Sequence, residues 1–123
     1  MPERFRIEWA PIALSDLDEI LEYIAARDSV DAAVHVYDKL RDRIDKLVSQ
    51  PQRCRIPPEL RELGVTEYRE LVVAPYGVFF RIRGKTIGIV GVLDRRRDLE
   101  ELLLQRMLRS GAEPVPRPDS SEP

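Results

Sequence analysis

Arginine is the residue type with the most chemistry to offer in this sequence. It occurs eleven times between residues 51 and 110, where Lys85 is the single lysine. A guanidinium is a planar fork of donors that matches phosphate and carboxylate, so the bias points to an acidic partner. The candidates for one shared binding surface are Arg69, Arg81, Arg95, Arg96 and Arg97, with Tyr76 beside them. Other reactive side chains are sparse: His35 is the sole histidine and Cys54 the sole cysteine. His35 falls mid-helix and reads as a surface residue. Cys54 stands in an Arg- and Pro-rich loop, a setting that can lower a thiol pKa, yet it reads as a spectator. One His, one Cys and no spaced carboxylate set leave no metal site, and there is no glycine-rich phosphate loop. No cofactor is expected.

Plainer readings stand beside these. Arg69 could pair across strands with Glu67 or Glu70. Arg95–Arg97 could be a solvated cluster at a strand end. Asp98 reads as a helix cap and not as a catalytic acid. Trp9 and Tyr37 read as core aromatics.

The elements that must position these groups follow from periodicity. Phe5, Ile7 and Trp9 alternate with Arg6 and Glu8, a short strand with one buried face. Pro11 opens a helix in which Leu14, Leu17, Leu21 and Ile24 recur at steps of three and four. Asp28-Ser29 caps a second helix striped by Ala33, Val36, Tyr37, Leu40, Ile44 and Leu47. Gln50-Pro51 ends it. Residues 51–67 read as a loop with a short helical turn near Pro58–Leu63. Three strands follow, Tyr68–Val73, Tyr76–Arg83 and Thr86–Asp94, joined by tight turns into an antiparallel meander. Gly88 and Gly91 weaken the last strand or admit a close approach. Asp98 caps a final helix. The order β-α-α-β-β-β-α is expected to give an α+β fold, an antiparallel-rich four-stranded sheet with the helical hairpin packed on one face.

Composition sets the frame. The chain has 123 residues, 43% hydrophobic and 34% charged, with a net charge of −2. Residues 1–50 hold 7 Lys/Arg against 11 Asp/Glu, and residues 51–110 hold 12 against 8. One domain over residues 1–109 is expected, followed by a Pro-, Ser- and acid-rich tail over residues 110–123 that cannot bury enough apolar surface to order by itself. There is no secretion-type leader and no apolar run of the ~18–20 residues that spans a bilayer, so a cytoplasmic protein with no membrane role is expected.

Several strings, in order, resemble the RelE/ParE toxin superfamily. They are Trp9-Ala10, then Ala13, Asp16-Leu17, Ile20 and Tyr23-Ile24, then Pro51 and Pro58-Glu59-Leu60. Tyr68-Arg69-Glu70-Leu71 follows, then Tyr76 with Val78-Phe79-Phe80-Arg81, Val92, and Arg96-Arg97-Asp98-Leu99. The resemblance spans residues 5–108. It implies a toxin of a type II toxin–antitoxin module, silenced by a cognate antitoxin in a heterotetramer or larger assembly. It also implies one of two targets: RelE-like members cleave mRNA on the ribosome, whereas ParE-like members poison DNA gyrase.

Cleavage of the RelE kind needs a base, an acid and cations in one cleft. The resemblance would give Arg69, Arg81 and Arg95 the cationic roles, because Arg69 matches the family's central sheet arginine. RelE-like nucleases also carry a Tyr or His just past the last strand, where this chain has Leu99-Glu100-Glu101-Leu102. They carry lysines in the loop where this chain has Arg53, Arg55 and Arg61, and arginine does not give up a proton at neutral pH. Tyr68, Tyr76 and Glu101 are weak substitutes. The Arg-Arg-Asp-Leu string and the Pro75-Tyr76 turn look more like the ParE branch, in which Arg69, Arg81, Arg95, Arg96, Arg97 and Tyr76 would bind a target. Two departures stand out. Cys54 replaces a glycine common in the loop, and Gly77 replaces an arginine common after the turn tyrosine.

Overall fold

A hydrophobic surface on each side of a sheet organises this molecule. The computed structural model describes residues 4–112. The strands are β1 (Arg6–Trp9), β2 (Arg69–Val73), β3 (Tyr76–Arg83) and β4 (Thr86–Asp94), and the helices are α1 (Pro11–Arg27), α2 (Val30–Asp45), α3 (Pro58–Arg61) and α4 (Leu99–Ala112). The strand order is β1-β4-β3-β2, with β1 parallel to β4 and the other two pairings antiparallel. The expected order of elements is present, and the sheet is mixed but mostly antiparallel. Pro11 occupies the first turn of α1, and the Ser29 hydroxyl caps α2 by accepting from the Ala32 N–H at 3.0 Å. Asp98 accepts from the Glu101 N–H at 3.5 Å at the start of α4.

The α1–α2 hairpin covers one face. Ala13, Leu40, Ile44 and Leu47 meet Leu71, Val78, Phe80, Ile87 and Ile89 there. The other face is also covered, but only in part. Leu60 of α3 and Leu99 and Leu103 of α4 pack on Tyr68, Phe79 and Leu93. Phe79 and Phe80 are adjacent and each fully buried, one in each core. Strand alternation sends them to opposite faces, and each contributes roughly 1.5–3 kcal/mol of burial. Tyr37 departs from the expected core position: it is 39% exposed, because its side of α2 faces a groove along β1 and α1 instead of the sheet. Trp9 is partly buried against the hairpin core, as expected.

β1 is shorter than β4, which leaves an edge to finish. The last β1-side bond is from the Ala10 N–H to the Ile89 carbonyl, 2.9 Å. Beyond it, Arg106 Nη1 donates to the Val90 carbonyl at 2.7 Å and Asp16 Oδ2 accepts from the Val92 N–H at 3.0 Å. The two side chains also pair with each other, at 2.9 and 3.1 Å. Residues from α4 and α1 thus satisfy backbone groups that a strand would otherwise take. Val90 is an extra residue in β4, since Phe79 pairs Gly91 and Phe80 pairs Ile89. At Gly91 the expected close approach occurs: a Cβ would lie 2.8 Å from Arg106 Nη1. α4 runs to Ala112, three residues into the tail expected over residues 110–123, and the rest of that tail, 113–123, lies outside the described residues.

Candidate functional site: one groove and a locked ion cluster

The six residues read from the sequence as a common surface occupy four separate places. Arg69 lies on the hairpin side at the sheet edge, where Nη1 donates to the carbonyls of Gln52 (3.0 Å) and Cys54 (2.7 Å). It pairs with neither Glu67 nor Glu70; it ties the loop to β2. Arg81 points to the opposite face, over the Tyr68 ring at 5.4 Å and 3.4 Å from its hydroxyl. The reason is strand alternation: Arg69 shares its face with Phe80, and Arg81 is the next residue.

Arg95 is consumed inside the molecule. Glu70 is fully buried, and Arg95 donates to it through Nε to Oε2 and through Nη2 to Oε1 (3.2 Å). The same Nη2 reaches both Glu59 oxygens at 3.1 and 3.2 Å. Arg55 completes the cluster with bonds of 3.1 and 3.0 Å to Glu70 Oε1. The hydrogen bond to Glu70 holds the Arg95 guanidinium above its ordinary pKa. A fully buried carboxylate needs such compensation, since isolated ionised groups are expensive to desolvate. Gly77 makes the room: a Cβ there would stand 2.2 Å from Glu70 Oε2. The missing arginine after the turn tyrosine therefore has a physical reason in this chain.

Tyr76, Arg96 and Arg97 do come together. With Tyr23, Ile20 and Asp94 they line a groove of about 460 Å³ between α1 and the β3–β4 end. Arg96 is clamped on Asp94, with Nε at 2.8 Å and Nη2 at 2.6 Å. That hydrogen bond holds the Asp94 carboxyl below the ordinary carboxylate range. Burial, then the Asp94 charge, push the Tyr76 phenol up. Arg97 is exposed and makes no side-chain hydrogen bond or ion pair among the described residues. The groove can bind, through a phenol, a free guanidinium and exposed Tyr23.

A model of the "ParE toxin of type II toxin-antitoxin system, parDE" matches residues 7–99. The chain belongs to the ParE toxin family. Within the RelE/ParE superfamily it falls on the ParE branch. A solved structure described as "Chromosomal ParDE TA system from P. aeruginosa" is similar in fold, with a TM-score of 0.63 and 22% identity. The likeness covers 74% of this chain and 96% of that one. No curated protein matches in sequence.

A second groove of this ParE-family chain runs along the hairpin. Ile7, Trp9, Leu14, Leu17, Tyr37 and Ile44 line about 330 Å³ there, and Leu14 is 46% exposed. Glu70, Asp16 and Arg106 are the polar residues that sequence reading missed. An acid directly before the apolar run Leu71–Val73, on the strand face it shares with buried Phe79, was the available signal for Glu70. Cys54 is half-buried, and burial pushes its thiol up despite the nearby Arg69 and Arg43 charges. This agrees with a spectator role. No described residues form a metal-holding cluster, and no described helix is long and apolar enough to cross a membrane.

Proposed function

We propose that this ParE-family chain arrests bacterial growth by binding DNA gyrase in the cytoplasm, and that a cognate antitoxin neutralises it in a heterotetramer or larger assembly. The observation that carries the choice of target is the separation of the cations. A ribonuclease needs base, acid and cations around one phosphate. Here Arg69 and Arg81 lie on opposite faces, and Arg95 is tied to Glu70 and Glu59. The Tyr76 phenol is pushed up, so it stays protonated at neutral pH. His35 is exposed on α2, on the hairpin side. The geometry favours binding over proton transfer.

Tyr76, Arg96 and Arg97 are the target-binding groups this reading retains. Arg69, Arg81 and Arg95 are better described as structural or as belonging elsewhere. The hairpin groove, with exposed Leu14 and Tyr37, suits the apolar face of an antitoxin helix. The domain reading also stands as a proposal: a toxin domain that ends with α4, then an acidic tail.

The test combines purified gyrase, supercoiled plasmid and the chain. Accumulation of gyrase-dependent linear DNA, with filamentation of expressing cells, is the expected result. Rapid translation arrest with cut messages and no effect on gyrase would overturn the reading in favour of the RelE-like ribosome-dependent nuclease.

A further inference from the structure

α4 and α3 cover only one end of the sheet face that looks away from the hairpin. The other end is bare among the described residues. It carries Arg81 and Arg83 of β3, Thr86 and Gly88 of β4, and Arg6 and Glu8 of β1. Pairing places these side by side: Arg81 opposite Gly88, Arg83 opposite Thr86, and Arg6 beside Thr86. They line or flank a shallow recess of about 330 Å³.

We propose that this uncovered end of the sheet is a binding site for the phosphate backbone of duplex DNA. Three arginines face one glutamate. Arg6 bonds Thr86 Oγ1 at 3.2 Å and lies 3.6 Å from Glu8, an exposed pair that holds it weakly. Arg81 is oriented by Tyr68 through a single Nη1 contact and the ring, which leaves most of its donors unused. Arg83 is exposed and has no side-chain partner among the described residues. Two residues along a strand advance about 6.6 Å, close to twice the ~3.4 Å rise between phosphates of one DNA strand. Arg81 and Arg83 can therefore follow one phosphate row.

Two further features select DNA over a protein. None of the exposed large apolar residues, among them Leu14, Tyr23, Val34, Tyr37 and Leu108, lines this recess. A protein interface would want such an anchor here, whereas phosphate binding needs only charge. Gly88 also has no side chain, so nothing from it raises the floor between the arginine rows; a Cβ there would meet only the Arg81 carbonyl, at 3.8 Å. The inference rests on the gyrase reading only for where the DNA comes from: the duplex that gyrase holds.

The experiment measures anisotropy of a fluorescein-labelled 20-bp duplex with the full chain across a salt series. Binding at low salt is expected, with log K against log salt sloping by roughly −2 to −3 for two or three phosphates. Arg83→Ala should reduce the slope by about one, and Arg81→Ala/Arg83→Ala should remove most binding. Arg83→Ala is exposed and leaves the fold intact, which guards against loss by misfolding. Lys39→Ala, on the hairpin side, should change nothing. The proposal is overturned if no duplex binds at low salt, if Lys39→Ala weakens binding as much as Arg83→Ala, or if an acidic polypeptide binds this face and DNA does not. A chain that binds duplex through Arg83 yet leaves gyrase untouched sinks the gyrase reading and spares this site. A chain that poisons gyrase while wild type and Arg83→Ala bind duplex equally does the reverse.

Discussion

Replacing Gly77 by alanine should damage the fold through a residue seven positions away in sequence. An ideal Cβ at 77 would lie 2.2 Å from Glu70 Oε2 and 3.0 Å from Phe79 Cε1. Ordinary contact begins near 3.4 Å, so the buried carboxylate must retreat by about 1 Å. The oxygen that moves is the acceptor of Arg95 Nε. A hydrogen bond to a charged group is worth ~1.5–3 kcal/mol, and overpacking costs ~1–3 kcal/mol. Gly77 does not have positive φ, so alanine returns ~0.4–1 kcal/mol by stiffening the unfolded chain. The expected net loss is about 1.5–5.5 kcal/mol. Urea unfolding followed by fluorescence of Trp9, the single tryptophan, reads it directly. The same substitution in a Glu70→Ala background should cost under about 1 kcal/mol, since the displaced group is gone. An equal cost in both backgrounds, or a negligible one in the parent, would refute the account of why position 77 is glycine.

Arg95→Ala should cost about 3–5 kcal/mol by stranding buried Glu70 with Arg55 alone, whereas exposed Arg97→Ala should stay within about 0.5 kcal/mol and weaken target binding instead; comparing melting with gyrase inhibition separates the two. Asp16→Ala leaves Arg106 and the Val92 N–H without their shared partner, so a loss of about 2–4 kcal/mol and faster amide exchange along α4 are expected, and unchanged exchange would remove Asp16 as the α4 anchor. The pH response has two signs. Asp94 is depressed in the fold, so its contribution is complete above its unfolded value near 3.8 and is lost as pH falls through the lower folded value. Cys54 is raised, so its contribution is complete below its unfolded value near 9.0 and declines as pH rises toward the folded one. Accordingly, the native thiol should react with a disulfide reagent at pH 8 more slowly than the urea-unfolded chain.

The element order was legible in the sequence because its signals are local. Alternation in Phe5–Trp9, steps of three and four after Pro11, and the breaks at Ser29, Pro51 and Gly84 each act within a few residues, and β3 and β4 fall where the pattern put them. The resemblance to toxins was carried by the same short strings. Which arginines remain available was not local. Arg95, Arg96 and Arg97 are neighbours in the chain, yet one is spent on Glu70 and Glu59, one on Asp94, and one is left for a partner. That allocation depends on carboxylates 25 and 36 residues away, brought close by strand pairing and by α3. Tyr37 was misplaced for the same reason, since helical periodicity names an apolar stripe but not how much of it the sheet will cover. Sequence determined the elements through short-range sterics and hydrophobic spacing, and tertiary structure decided which charges are partnered across the fold, because Arg95, Glu70 and Glu59 are far apart in the chain and meet only after it has folded.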